Sequence, residues 1–387
     1  MHWLHERMWD NGDKVAIYSG EDVITYTDIN NPFVMIMNHP NEKYAIPVCM
    51  LTALGMGGIV ITRPTEYKVA KTSVPSFGAY IIIQTSGSTG MPKYIIHDLD
   101  KLAERNREAK TPYVTLMMLL PDHIGGINTI LYTLATGGTL VFPENRLPKH
   151  VCELIEKYKV ELLPTTPSFL QWLLMLDLHK KYDLSSLKVI SFGTEPCPPV
   201  LAKRLREEFP DVKLKQMYGL SETGILRSKT HPDDPSLIKF GDNVEVRDNI
   251  LWVKADTTMV GYIKEGELVL VDSNEWLNTE DEVEIVGDYV RILGRVTDII
   301  NVGGQKVHPQ RIEDVLLQHP SVTNALAYGE PNVLLGEVVY ADVVTKETVT
   351  SKELKAFCKD KLLKFELPIK INFVDSIEIS ERGKKVR

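Results

Sequence analysis

Short apolar runs alternate with amphipathic stretches along most of this chain, and the two kinds of pattern predict strands and helices in turn. An amphipathic helix opens it. Residues 15–18 and 23–26, apolar and β-branched about Gly20, predict a hairpin. A strand follows over 33–37, then a helix over 47–54 stopped near the glycines at 55, 57 and 58, and a strand over 59–62. Further on, strands are predicted at 114–120, 139–142, 160–163, 188–192 and 213–217. Helices are predicted between them at 127–136, 149–158, 168–178 and 199–209. This β-α-β-α order implies a mainly parallel sheet covered by helices. Ligands of such sheets gather at the carboxyl ends of the strands, where the loops near 85, 123, 193 and 218 fall.

The texture changes twice. From about 240 to 294 short strands and turns predict a small β-rich subdomain, and after Gly294 a mixture of helices and strands predicts a separate α+β domain. The expected fold is therefore α/β: a large N-terminal domain over 1–294 with helix-covered, mainly parallel sheets and a β-rich part, then a C-terminal domain over 295–387 on a hinge. At 387 residues the chain is long enough for two or three domains.

Composition narrows the functional classes. With 43% apolar and 25% charged residues the chain reads as an ordinary globular protein, and a net charge of −8 implies neither a nucleic-acid nor an anionic-membrane partner. The cysteines at 49, 152, 197 and 358 are scattered, without C-x-x-C pairs, which points to reduced thiols and a cytoplasmic setting. No run reaches the ~18 apolar residues of a membrane span, and the charged, ring-bearing start is unlike a signal peptide.

One stretch carries the chemistry most openly. The apolar run Tyr80, Ile81, Ile82, Ile83 empties into Gln84, Thr85, Ser86, Gly87, Ser88, Thr89, Gly90, Met91, Pro92 and Lys93. A strand feeds a turn with glycine freedom, four hydroxyls and an ammonium, which makes an anion cradle. It lacks the terminal Gly-Lys-Ser/Thr of a P-loop, so a kinase-type ATPase is disfavoured. The order Thr-Ser-Gly-Ser-Thr-Gly-x-Pro-Lys resembles the phosphate loop of the AMP-forming adenylating superfamily, which includes acyl- and aryl-CoA ligases, peptide-synthetase adenylation domains and luciferases.

Other segments resemble the same family in the same order, as a shortened member. Tyr218, Gly219, Leu220, Ser221, Glu222 follow a predicted strand. The resemblance implies that Tyr218 stacks on adenine, Ser221 meets the α-phosphate and Glu222 holds Mg²⁺. Gly193, Thr194, Glu195 and Pro196 resemble the segment lying along adenine and one wall of the acyl pocket. His123, with Gly126 and Ile127, matches the acyl-pocket histidine of CoA ligases, although Asp122 replaces the usual ring before it. Because amino-acid-activating relatives tend to carry aspartate at the histidine position, an acid without an α-amino group is favoured.

Asp281 stands where the family aspartate binds the ribose hydroxyls, but Glu280 replaces the glycine before it. Arg295 would also hold the ribose, Thr297 falls at the hinge pivot, and Gly303 and Gly304 form the loop implied for the thiol step. Lys384, in Gly383-Lys384-Lys385-Val386-Arg387, matches the lysine that bridges substrate carboxylate and α-phosphate. The resemblance implies ATP-dependent conversion of a small carboxylic acid to an acyl-adenylate, then transfer to CoA or to the phosphopantetheine of a carrier protein. A degenerate nucleotide-binding regulatory module is the reading from another class. The shortened regions would leave surface for a second subunit to cover, as in a homodimer.

Overall fold

The computed structural model describes residues 3–19, 22–26, 50, 54, 58–61, 78–85, 93–264 and 267–378. The predicted strand at 33–37 and nearly all of the predicted helix at 47–54 lie outside them.

The alternating segment forms a seven-stranded sheet in the order Lys213–Gln216, Val189–Phe192, Leu162–Thr165, Val114–Leu116, Thr139–Phe142, Val15–Ser19, Asp22–Thr25. Every pairing is parallel except the last, the hairpin expected about Gly20. A second sheet runs Glu267–Leu270, Gly261–Lys264, Lys93–Asp98, Ala79–Thr85, Gly58–Ile61.

Between these sheets lies the helix Ile124–Ala135. Its Ile127, Ile130, Leu131 and Leu134 pack in one cluster with Ile17 and Leu140 of the first sheet and Ile81, Ile83 and Ile95 of the second. A helix covered on both sides has to be apolar nearly all round, and this one is. Burying those four side chains stabilises the domain by roughly 6–12 kcal/mol as an upper bound. The helices Pro148–Tyr158, Pro167–Met175 and Pro199–Glu208 cover the first sheet on a second core that includes Val151, Ile155, Leu170, Ile190 and Leu205.

Three expectations need correction. The strand predicted over 114–120 is only Val114–Leu116, because Met118 N–H turns back to the Leu116 carbonyl. The helix expected from 127 begins at Ile124, taking Gly125 and Gly126 into its first turn. Gly126 is required there, since a Cβ would lie 2.0 Å from the Leu120 carbonyl oxygen.

The β-rich part also differs from the expected 240–294. Its antiparallel sheet is Ser228–Thr230, Ile238–Phe240, Tyr289–Arg295, Leu277–Val286, Ile250–Val253, Val244–Arg247. The hairpin Gly261–Lys264 and Glu267–Leu270 belongs instead to the second sheet, where Ile263 packs with Ile82, Tyr94 and Ile96.

A 3-10 turn, Val296–Asp298, separates the β-rich sheet from the C-terminal one, and Thr297 is exposed within it. The C-terminal sheet combines the small hairpin Ile300–Val302 and Gln305–Val307 with the long hairpin Val322–Asn332 and Gly336–Thr345, and Lys370–Phe373 joins in parallel. The helices Pro309–Leu317 and Ser351–Lys359 share its apolar core. Thr350 caps the second with a reciprocal Glu353 bond. Among the described residues no helix is long and apolar enough to cross a membrane.

Candidate active site

The parallel strands end at Thr165, Phe192 and Gln216, and their outgoing loops open into a cleft of ≈ 580 Å³. Two further walls close it. One is the first turn of the helix Ile124–Ala135. The other comes from the C-terminal domain through Asp298, His308, Pro309, Gln310, Glu313 and Leu317.

The chain folds so that segments distant in sequence meet on one polar group. Tyr218 Oη donates to Asp281 Oδ2 at 2.6 Å, and Arg295 Nε lies 3.5 Å from Asp281 Oδ1. The Asp281 N–H donates to Thr279 Oγ1 at 3.0 Å, and that hydroxyl donates to the Leu251 carbonyl at 2.8 Å. Burial, then the Asp281 carboxylate, pushes the Tyr218 phenol well above its usual value, so it acts as a donor and stays neutral. The Tyr218 ring is only 8% exposed and meets Phe240 edge-on at 5.5 Å. It therefore contributes a packed wall to the cleft.

Asp281 lies in a strand, paired with Arg295. The bulge that aims it is made at Glu280, whose φ is +60°. Glutamate thus adopts the left-handed conformation that favours glycine. Glu280 N–H donates to Asn278 Oδ1 at 2.9 Å, which helps to hold it.

The Ser221–Glu222 segment lies between the two-residue strands Gly219–Leu220 and Gly224–Ile225 and is held from beneath. His97 Nε2–H donates to the Ser221 carbonyl at 2.6 Å, Met259 N–H to that of Glu222 at 2.7 Å and Thr257 Oγ1–H to that of Thr223 at 2.6 Å. Burial holds the His97 imidazole pKa below its usual 6.5, against the pull of its hydrogen bonds to backbone carbonyls. Tyr262 stands beside this loop. Its phenol is pushed up to about 12 by burial and then by the Glu222 carboxylate, and the Lys93 ammonium lies 6.0 Å from its ring centre.

Glu222 lines the cleft and makes no ion pair among the described residues. No group of three or more His, Cys, Asp or Glu able to hold a metal occurs among them. A lone carboxylate fits Mg²⁺, which keeps most of its waters and takes one or two protein carboxylates plus phosphate oxygens.

On the facing side, Thr194 has φ +73°, costly for a β-branched residue and located at the cleft rim. Gly193 was expected to admit a flat ligand ring. The structure gives its absent side chain a nearer reason, since a Cβ there would lie 2.2 Å from the Met217 carbonyl oxygen. Glu195 Oε1 accepts the Ser168 N–H at 2.6 Å, in the first turn of the helix Pro167–Met175. The carboxylate therefore ties two cleft loops together. His123 lines the cleft as the residue preceding the helix, its Nδ1 2.9 Å from Oδ1 of the buried Asp122.

The cleft thus gathers His123, Gly126, Gly193, Thr194, Glu195, Tyr218, Gly219, Ser221, Glu222, Asp281 and Arg295. Ile127 does not reach it, being fully buried in the core. Gly303 and Gly304, at φ +58° and +85°, make the turn of a C-terminal hairpin docked on the Leu335 carbonyl, away from the cleft lining. Ser86, Gly87, Ser88, Thr89, Gly90 and Lys384 lie outside the described residues, as does the Thr85 side chain. Sequence reading missed His97, Tyr262 and Gln171. For His97 the signal was an imidazole closing the apolar run Tyr94, Ile95, Ile96. Tyr262 and Gln171 carry none.

The model of the AMP-binding enzyme family matches residues 44–269, and that of the AMP-binding enzyme C-terminal domain matches 311–384. The chain is 26% identical over 365 residues to a 4-coumarate–CoA ligase of Pinus taeda, covering 85% of this chain and 68% of that protein. It is 31% identical over 271 residues to the 3-[(3aS,4S,7aS)-7a-methyl-1,5-dioxo-octahydro-1H-inden-4-yl]propanoyl:CoA ligase of Mycobacterium tuberculosis, covering 66% and 53%. The chain thus spans about half to two thirds of the length of these curated relatives. The amide bond synthetase McbA from Marinactinospora thermotolerans has the same fold, with a TM-score of 0.76 at 22% identity over 99% of this chain and 97% of that one.

Proposed function

This chain belongs to the family of AMP-forming, AMP-binding enzymes, and from that premise we propose that it activates a carboxylic acid with ATP and passes the acyl group to CoA. The observation that carries the proposal is the convergence of Tyr218, Ser221, Glu222, Asp281 and Arg295 on one cleft at the carboxyl ends of a parallel sheet. In the first step a carboxylate oxygen bonds to the α-phosphorus of ATP and the bond to pyrophosphate breaks. In the second, the thiol sulfur bonds to the acyl carbon, AMP leaves with the electron pair of the broken C–O bond, and the thiol proton passes to solvent.

Charge is the main obstacle to the first step, since two unit charges 4 Å apart repel by roughly 4 kcal/mol at a protein-like effective dielectric. Asp281 would accept the ribose hydroxyls, oriented by Tyr218 and Arg295. Glu222 would hold Mg²⁺, which supplies charge neutralisation on the phosphates. Lys384 would bridge carboxylate and α-phosphate, and the exposed turn around Thr297 would let the C-terminal wall move between steps. His123 in the acyl pocket supports an acid without an α-amino group, and the two CoA-ligase relatives support CoA as acceptor.

Acid-dependent pyrophosphate release, screened over carboxylic acids, tests this reading. Lys384→Ala is expected to slow it by on the order of 10²–10³, about 3–4 kcal/mol. ATP binding without pyrophosphate release for any acid would instead favour a regulatory nucleotide-binding module.

A further inference from the structure

At the rim where the C-terminal domain meets the β-rich sheet, one residue from each side faces the other. His308 precedes the helix Pro309–Leu317, and Glu282 lies in the strand Leu277–Val286, directly after Asp281. His308 Nε2 stands 3.3 Å from Glu282 Oε2, with only 19% and 22% of the two side chains exposed. Neither makes another side-chain hydrogen bond or ion pair among the described residues.

The charges around this pair are engaged elsewhere. On the β-rich sheet, Arg295 pairs with Asp281, and Arg291 with Asp234 and Glu284, while Glu280 is exposed. On the helix that His308 precedes, Arg311 pairs with Glu366, Glu313 accepts the Ala327 N–H at 3.1 Å and Asp314 accepts from Gln310 at 3.4 Å. Arg204 and Arg206, on the neighbouring helix Pro199–Glu208, donate to the Leu174 and Pro232 carbonyls. Lys306 is exposed, and Asp298 on the connecting turn adds a negative charge to the same side of the cleft.

An imidazole ordinarily changes charge near pH 6.5, and the start of a helix disfavours its cation. Glu282 supplies the opposite charge only while the two sides are docked. The docked arrangement therefore holds a proton on the imidazole more tightly than any arrangement that parts the two residues. By linkage, docking gains population as pH falls through the histidine range. Glutamates ordinarily stay ionised down to about pH 4.5, which leaves the histidine as the group that changes.

The pair also governs what faces the cleft. Only the strand Gln305–Val307 separates His308 from the turn at Gly303 and Gly304. In the docked arrangement His308 lines the cleft and the glycine turn does not.

We propose that His308 is a positioning residue whose protonation, through Glu282, latches the C-terminal domain with its glycine turn held off the cleft, and whose deprotonation releases that domain for the thiol step; the inference rests on the two-step reading above. Mildly acidic conditions then favour adenylate formation, and alkaline conditions favour acyl transfer.

Amide exchange of the full chain over residues 277–286 and 305–311 tests the latch without any acid substrate, with proteins compared at equal pH so that the intrinsic exchange rate cancels. At pH 5.5 the parent should exchange about fivefold more slowly than His308→Gln over both segments, the weight of one partly exposed ion pair, and at pH 8.5 the two should agree. Glu282→Gln should behave as His308→Gln does. His308→Lys, a permanent cation, should keep exchange slow at pH 8.5, where the parent has loosened. A parent-to-variant ratio that does not change with pH would overturn the proposal. So would a pH response that survives in Glu282→Gln, or fast exchange in His308→Lys. Acid-dependent pyrophosphate release by the unaltered protein reports adenylation separately, so a chain that adenylates while its docking ignores pH loses only this inference.

Discussion

The two walls of the cleft are held in different ways. Beneath Ser221 and Glu222, three donors from two segments, His97 on one and Thr257 and Met259 on the other, fix consecutive carbonyls within 2.6–2.7 Å. Across the cleft, the C-terminal wall meets the rest where the helix Pro309–Leu317 packs near the helix Pro199–Glu208 and the strand Tyr289–Arg295, and through two polar contacts: Gln171 Nε2 to the Thr323 carbonyl at 2.5 Å, and His308 Nε2 to Glu282 Oε2 at 3.3 Å. The difference teaches that the groups proposed for phosphate chemistry sit on a floor fixed by several buried donors, while few hydrogen bonds and ion pairs hold the facing domain across the cleft. A reaction in two steps needs that asymmetry.

The largest expected effect falls on the helix wall of the cleft. In Gly126→Ala the new Cβ would meet the Leu120 backbone oxygen at 2.0 Å, and neither the helix nor the preceding turn can yield without disturbing His123. About 3 kcal/mol of stability should be lost, measured as a shift in the urea midpoint. A shift below ~1 kcal/mol would show that the wall is softer than its contacts imply.

Next comes acid. The unfolded chain protonates its histidines near pH 6.5, whereas buried His97 titrates lower in the native state. The unfolded state therefore binds more protons below about pH 6.5, and stability, complete above that value, falls as pH drops toward the native pKa. His97→Leu should cost about 1–3 kcal/mol at pH 7.5, because the Ser221 carbonyl is left without its donor. It should also lose less on going to pH 5.5 than the parent does. Parallel pH dependences in the two proteins would remove His97 from the account.

How much of this was legible beforehand follows from the kind of interaction. The parallel order of strands was readable because apolar runs and glycine stops are local signals. Tyr218, Asp281 and Arg295 could be named from their motifs, but not their mutual bonding, which depends on the bulge at Glu280 and on register between Leu277–Val286 and Tyr289–Arg295. The destination of the 261–270 hairpin was hidden for a similar reason. A short strand carries no mark of which sheet edge it will join, and it is Ile263 meeting Tyr94 and Ile96 that decides. His97 looked like one polar residue in a strand until the Ser221 loop came to rest on it.

Smaller effects sharpen the comparison at its rims. Glu280→Gly should stabilise the protein by about 1 kcal/mol, because glycine adopts φ +60° without a Cβ penalty. The same change frees the bulge that aims Asp281, so nucleotide affinity should fall as the melting temperature rises. If both rise together, the strain at Glu280 has no part in placing the carboxylate.

The smallest effect is the most discriminating. Gln171→Ala deletes a donor on the fixed side, and the Thr323 carbonyl it leaves belongs to a strand whose other bonds are intact: Thr323 Oγ1 reaches the Val344 carbonyl at 3.0 Å. Global unfolding should move by no more than ~0.5 kcal/mol, the low end for one part-buried hydrogen bond. Docking of the C-terminal domain should loosen, seen as faster amide exchange along the cleft-facing helix Pro309–Leu317 and unchanged exchange at Ser221 and Glu222. The two walls are then separate mechanical units. Faster exchange at Ser221 would mean that the floor depends on the domain opposite it, and the fixed-floor description would have to give way to one in which both walls order together.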